Sequence, residues 1–280
     1  MREMSFTEAA ERYGRKLSEK GRKPDLNRIG CLKRLAERIG DTPLEEIDRM
    51  YIDDLHAWLA TKPKADGSTY SVSTIASHLG YLRALLKWAH EAGRLDKVPV
   101  IKVPKGRQRY QFLEPSEVEA LMKELDPWRA DLVMFAVQTG LRRHNCTHLR
   151  WDQLEKDYWE ICIEGLETKN GEKYRARMNE DARDVILDRL KRADWLEKKF
   201  GWRSEYVFAR DHSNQPSRIV CNGAWKKALD RAGLPQGICF HTLRHTFASW
   251  HMEKETPEMV IVKLGGWSGT EMLKRYVHIK

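Results

Sequence analysis

Apolar residues recur at helical spacing along the first part of the chain. Phe6, Ala9, Ala10, Tyr13 and Leu17 make one stripe, and Ser5 with Glu8 is spaced as a capping box. Ile29, Leu32, Leu35 and Ile39 make a second stripe, and Ile52, Leu55, Trp58 and Leu59 a third. Ile75, Leu79, Leu82, Leu86 and Ala89 make a fourth, which Gly93 is placed to end. Breaks fall at Gly21–Pro24, Gly40–Pro43 and Lys62–Ser68. The pattern predicts a small helical bundle whose aromatic and leucine stripes form its core.

The pattern then changes. Val98 to Gln111 carries two prolines, a glycine and the cations Lys102, Lys105, Arg107 and Arg109, with no acid between them. Such a stretch is either a solvated linker or a strap lying along phosphates. A new helix is expected from Glu114-Pro115-Ser116, where proline suits the first turn. Leu132 to Gln138 predicts a buried helix ending at Thr139-Gly140. Trp151–Leu154, Tyr158–Ile163 and Lys173–Met178 have the aromatic and β-branched character of strands, and Lys169-Asn170-Gly171 sits at a hairpin turn. Helices are expected at 181–199, 218–232, 241–254, 257–264 and 270–276. The expectation is therefore a mainly α protein with a small antiparallel sheet. Its parts are a helical domain over 1–97, a basic linker over 98–112 and a second domain over 113–280.

Composition narrows the class. Hydrophobic residues make up 41% and charged residues 32% of the 280 positions, the balance of an ordinary globular protein. No apolar run is long enough to cross a bilayer. The start, Met1-Arg2-Glu3-Met4, leads into a polar amphipathic pattern rather than an apolar signal, so a cytoplasmic protein with no membrane partner is expected. Cys31, Cys146, Cys162, Cys221 and Cys239 are odd in number and include no Cys-x-x-Cys, which argues against a disulfide framework or a zinc knuckle. The net charge of +9 favours a polyanionic partner.

Four clusters can carry chemistry. In His241-Thr242-Leu243-Arg244-His245 an imidazole and a guanidinium lie three apart, suited to gripping phosphate oxygens and moving a proton. His241 and His245 have zinc-ligand spacing, but Thr242 stands where a metalloprotease helix has glutamate, so no metal site is expected. Arg142 and Arg143 follow the expected end of a buried helix. Lys169 occupies a tight turn from which it can reach a phosphate. Tyr276 follows Leu264-Gly265-Gly266-Trp267 by nine residues, and its phenol is a poor nucleophile unless cations stabilise the phenolate. Each cluster alone also fits plain packing or solvation.

Taken in order, these boxes resemble the tyrosine recombinase (phage integrase) family, closely from about Leu113 to Lys280 and more loosely over the helical first half, which is similar to the family's SAM-like core-binding domain. The resemblance implies a clamp on double-stranded DNA at attachment or recombination sites, a homotetramer on DNA, and DNA-bending accessory factors as candidate partners. It implies cleavage through a 3′-phosphotyrosyl link, for integration or excision of a phage or mobile element, with no metal, ATP or other cofactor. Position by position it implies Tyr276 as nucleophile, Arg142 and Arg244 as the phosphate-binding arginines, Lys169 as general acid with Lys173 as fallback, His241 in proton transfer, and Trp267 as an N–H donor. Lys102, Lys105, Arg107 and Arg109 are the expected backbone contacts. Asn145 departs from the acidic residue usual three positions after the first arginine. No further arm-binding domain is expected before the bundle, and only four residues follow Tyr276. Two other readings share these residues. One is a topoisomerase-like enzyme, the other an architectural DNA-binding protein with weakened catalysis, for which Asn145 is the support.

Overall fold

The computed structural model describes residues 3–18, 25–64, 67–104, 111–165, 173–210, 213–216 and 220–274. The chain divides into two compact units, 1–108 and 109–280.

The first unit is built from α1 (Phe6–Ser18), α2 (Leu26–Ile39), α3 (Arg49–Thr61) and α4 (Val72–Glu91). Each of the four predicted stripes lies on one of them. The starts are set by side-chain caps that satisfy otherwise orphaned amides. Ser5 Oγ accepts from the Glu8 amide, Asp25 from Arg28, Asp48 from Tyr51 and Ser71 from Thr74. Phe6, Leu32, Leu35, Leu55, Leu59, Leu79 and Leu82 are fully buried together. The first half of the expected linker joins this core: Ile101 is buried in it, and Val98 and Val103 pack against it. Lys102 is exposed, while Lys105, Arg107 and Arg109 lie outside the described residues.

One polar side chain in this core titrates. His78 is 1% exposed; its Nδ1 donates to the Thr74 carbonyl at 2.8 Å, and its Nε2 accepts from Arg34 Nε at 3.4 Å. This arrangement fits the neutral ring. Burial, and then the charges of Arg34 and Lys62, hold its pKa below the ordinary value. The unfolded chain therefore binds this proton more readily than the folded one. Stability is full above the ordinary value of about 6.5 and falls as pH drops below it, until the folded site also protonates. Urea midpoints at pH 7.5 and 5.5 should differ less in His78→Leu than in the wild type; equal differences would remove His78 from the account.

The second unit centres on α6 (Pro127–Thr139), which buries Leu132, Val133, Phe135, Ala136 and Val137 and so has no solvent face of any width. Around it pack α5 (Pro115–Lys123), α8 (Glu180–Phe200) and α10 (Phe240–Glu253). A short α7 (Arg143–Thr147), α9 (Gly223–Arg231) and α11 (Glu258–Gly265) complete the helices among the described residues. The sheet is β1 (Leu154–Glu155), β2 (Glu160–Ile163) and β3 (Tyr174–Arg177), all antiparallel in that order. Leu154 pairs with Ile161, and Ile163 with Tyr174.

Four local expectations are revised. Trp151–Gln153 is a 3-10 turn, leaving a strand of two residues, because the Trp151 indole N–H is drawn to the Ser204 carbonyl. Lys156, Asp157 and Tyr158 are all left-handed, so the chain reverses there and β2 starts only at Glu160. The helix expected from 218 starts at Gly223, where Asn222 caps two amides. The described part of the expected 270–276 helix is a 3-10 turn, Thr270–Met272. The turn containing Lys169, Asn170 and Gly171 lies outside the described residues.

Candidate active site

Helix α6 must stop abruptly to deliver the residues that follow it. Gly140 does this in the left-handed conformation, φ 63°, with its amide returning to the Ala136 carbonyl. Arg142 then stands at the N-cap of α7, half-buried, and burial alone draws its pKa below the ordinary guanidinium value. A guanidinium so shifted remains charged. Asn145, on α7, faces the same cleft.

Helix α10 brings the second arginine. Its register is fixed from outside: Thr246 Oγ1 accepts from the Leu113 amide at 2.9 Å, and the Trp250 indole donates to the Leu113 carbonyl at 2.9 Å. Arg244 is 3% exposed. Its Nη1 donates to the Gly140 carbonyl, and to the Gly265 carbonyl at 2.5 Å. Its guanidinium also lies over the Trp267 ring, 3.8 Å from the centroid. The end of α6 and the turn after α11 are thus both tied to this one side chain of α10.

The turn after α11 explains the paired glycines. The amides of Gly266 and Trp267 both return to the Val262 carbonyl. A Cβ on Gly265 would sit 1.8 Å from the Trp267 ring, and one on Gly266 would sit 2.9 Å from the Tyr174 ring. Trp267 stacks on Phe247, which in turn closes over Gly140.

These elements surround a cleft of about 360 Å³ lined by five cations, Arg142, Lys173, Arg175, Arg244 and Lys263, together with Asn145 and Trp267. Among the described residues no carboxylate lines it. Lys173 is paired with Glu164 at 2.7 Å, chiefly for which its pKa is raised, and Arg175 with Glu155 at 2.8 Å. Such a cleft concentrates positive potential where a phosphate oxygen can be held. Arg142, Arg244 and Trp267, singled out in the sequence, converge here. His241 does not line the cleft; it is exposed on the first turn of α10, edge-on to His245 with ring centroids 4.6 Å apart. Lys169 and Tyr276 lie outside the described residues. Among the described residues no cluster of three or more His, Cys, Asp or Glu is gathered to hold a metal, and no helix is long and apolar enough to cross a membrane.

Three contributors were not anticipated. Arg175 and Lys263 carry no local motif, and only the register of β3 and the position of α11 bring them to the cleft. Tyr174 was read only as part of a strand. It is half-buried, its hydroxyl donates to the Leu264 carbonyl, and desolvation pushes its phenol well above the ordinary value.

The glycine at the end of α6 offers a test. A Cβ there would fall 2.4 Å from the Phe247 ring in a backbone region that alanine disfavours. Gly140→Ala should cost roughly 2–4 kcal/mol of stability. Urea denaturation measures this, and a change under about 0.5 kcal/mol would show that Phe247 yields freely.

The model of the phage integrase family matches residues 111–280, and that of the phage integrase SAM-like domain matches residues 5–103. The integrase of Salmonella phage P22 is 34% identical over 222 residues, covering 75% of this chain; the chain spans only 54% of that protein's length. Among solved structures, a lambda integrase(75–356) dimer bound to a COC′ core site superposes with a TM-score of 0.76 at 19% identity, covering 98% of this chain and 95% of that one. A lambda integrase tetramer bound to a Holliday junction gives a TM-score of 0.73 at 18% identity, covering 98% and 78%. At these identities the structures speak for the fold alone. The family match covers more than half of the chain, including every element that builds the cationic cleft, and on that ground the chain belongs to the phage integrase family.

Proposed function

We propose that this chain is a site-specific recombinase that cuts and rejoins double-stranded DNA through a 3′-phosphotyrosyl link at Tyr276. The observation that carries this reading is the cleft lined, among the described residues, by five cations and no carboxylate, in which Arg244 is locked by two backbone carbonyls and an indole face. Arg142 and Arg244 hold the scissile phosphate and offset the charge that develops in the pentacoordinate transition state. The Tyr276 oxygen bonds to phosphorus as the bond to the 5′ oxygen breaks. Lys169, or Lys173 in its place, gives that oxygen its proton. His241 assists proton transfer, and the Trp267 indole N–H donates to a phosphate oxygen. The new phosphodiester conserves the energy of the old one, so resealing is the reverse attack by a 5′ hydroxyl. Arginine and lysine supply the charge stabilisation that a metal ion supplies elsewhere.

The relatives support the wider setting: lambda integrase has been seen as a dimer on a core site and as a tetramer on a Holliday junction. The corresponding reading is a tetramer joining two sites, with Lys102, Lys105, Arg107 and Arg109 along the phosphate backbone. The test uses nicked suicide DNA carrying the attachment site, found by sequencing the DNA around the coding region. Incubation in EDTA should give a covalent protein–DNA adduct, detected by denaturing electrophoresis. An adduct that forms only when divalent metal is added would defeat the proposal.

A further inference from the structure

Five cations line the cleft, and three of them are already engaged. Arg244 is committed to the Gly140 and Gly265 carbonyls, Lys173 to Glu164 at 2.7 Å, and Arg175 to Glu155 at 2.8 Å and Glu160 at 3.2 Å. Among the described residues the side chains of Arg142 and Lys263 have no hydrogen-bond or ion-pair partner. The two also sit at different depths. Arg142 is half-buried, like its fully buried companion Arg244, whereas Lys263 is exposed on α11, just before the turn that carries Trp267. A cation gathered with four others, with no carboxylate lining the cleft among the described residues, is repelled where it stands, and an arriving anion reverses the sign of that interaction. The chemistry of the anion limits which one. A phosphodiester offers two non-bridging oxygens, and two arginines with the Trp267 indole already supply donors for both. The cleft, about 360 Å³, has room for roughly a dozen waters, more than one phosphate group fills. The next anionic group along a DNA strand is the neighbouring phosphate.

We propose that Lys263 is a binding residue for the phosphate next to the scissile one, which it holds at the rim of the cleft while Arg142 and Arg244 hold the scissile phosphate deeper in it. The inference rests on the recombinase reading above. A lysine suits the rim. Its ammonium is a point charge on a flexible stem, so it can follow a phosphate whose position shifts from one DNA sequence to another, where a guanidinium fork demands one geometry. It also supplies charge without a tie to the fold, so its loss weakens binding and leaves stability untouched.

The test is a thermodynamic cycle on the full chain. The scissile position is read first from the adduct that the wild type forms on the suicide duplex. Binding is then measured by fluorescence anisotropy in the Tyr276→Phe form, which is expected to bind without cutting, with and without Lys263→Gln. The duplexes carry one uncharged methylphosphonate, at the scissile position or at either neighbour. At one neighbouring position the two changes should be coupled: methylphosphonate weakens binding roughly 3- to 10-fold with Lys263 present and less than about 1.5-fold in Lys263→Gln. At the scissile position both proteins should lose affinity equally. Coupling at neither neighbour, or coupling at the scissile phosphate, would overturn the inference. Lys263→Gln should melt within about 2 °C of its parent; a larger drop would make the lysine part of the fold and overturn the inference as well. If the wild type forms no adduct, the recombinase reading fails and this inference with it; if the adduct forms and the coupling is missing, only the Lys263 role fails.

Discussion

Tyr276→Phe is expected to abolish the covalent protein–DNA adduct, a loss of at least about 10⁴-fold, because on the proposed mechanism the substitution removes the attacking atom and little else. The size of the loss depends on whether another phenol can substitute. Among the described residues that line the cleft the one phenol is Tyr174, and it is a poor replacement: its hydroxyl is committed to the Leu264 carbonyl and burial raises its pKa. A phenol held in its protonated form, with its oxygen turned to a carbonyl, presents no nucleophile to a phosphate. DNA binding should be retained, since one hydroxyl contributes little against the backbone contacts of several cations. The measurement is adduct yield on a suicide duplex together with a gel shift of the same duplex. An undiminished adduct in Tyr276→Phe would sink the mechanism outright.

Arg244→Ala is expected to slow cleavage by at least roughly 10³-fold with much of the DNA affinity intact. Two losses combine. The transition state loses a charged donor group held in advance of the reaction. The protein loses the tie between Gly140, Gly265 and the Trp267 ring. Two carbonyls left without their donor cost about 1–3 kcal/mol each, so a lowered melting temperature should accompany the slower rate. Arg244→Lys separates the two effects. An ammonium restores charge and can donate to both carbonyls from one nitrogen, as Nη1 does, but it cannot lie flat on an indole as the planar guanidinium does. Its rate should stay well below the wild type even where its stability recovers. Single-turnover rates and melting curves for both variants decide this. An Arg244→Ala protein that cleaves within about threefold of the wild type would show that Arg142 alone carries the phosphate.

The two arginines were legible in the sequence for different reasons. Arg142 follows a glycine that ends an apolar helix, and a side chain leaving such an end has little freedom. Arg244 lies in a dense box with two histidines. Neither position reveals that Arg244 is buried and pinned, since the carbonyls that hold it belong to residues 104 and 21 positions away. The same distance in sequence hides Lys263 and Arg175. An exposed lysine on a helix and an arginine on a strand read as solvated charge until the folded chain turns them to one cleft. His241 shows the reverse case. Its spacing to Arg244 is right for a shared face, yet α10 buries Arg244 and leaves His241 at the surface.

What the sequence alone determined is local. The four stripes of the first unit, the buried α6, the Gly140 stop and the order of the reactive boxes depend on neighbours within a few turns, where periodicity and capping act. It also determined which residue types were available: arginine, lysine, histidine and tyrosine. Only the tertiary structure decided which of these meet. The packing of α10 on α6, and of α11 on β3, sets Arg244 on Trp267 and moors Tyr174 to Leu264. It also delays the start of the first strand, because an indole finds a carbonyl 53 residues away. Such contacts gain their energy from burial and from hydrogen bonds closed over long loops, and neither quantity is written in any short stretch of chain.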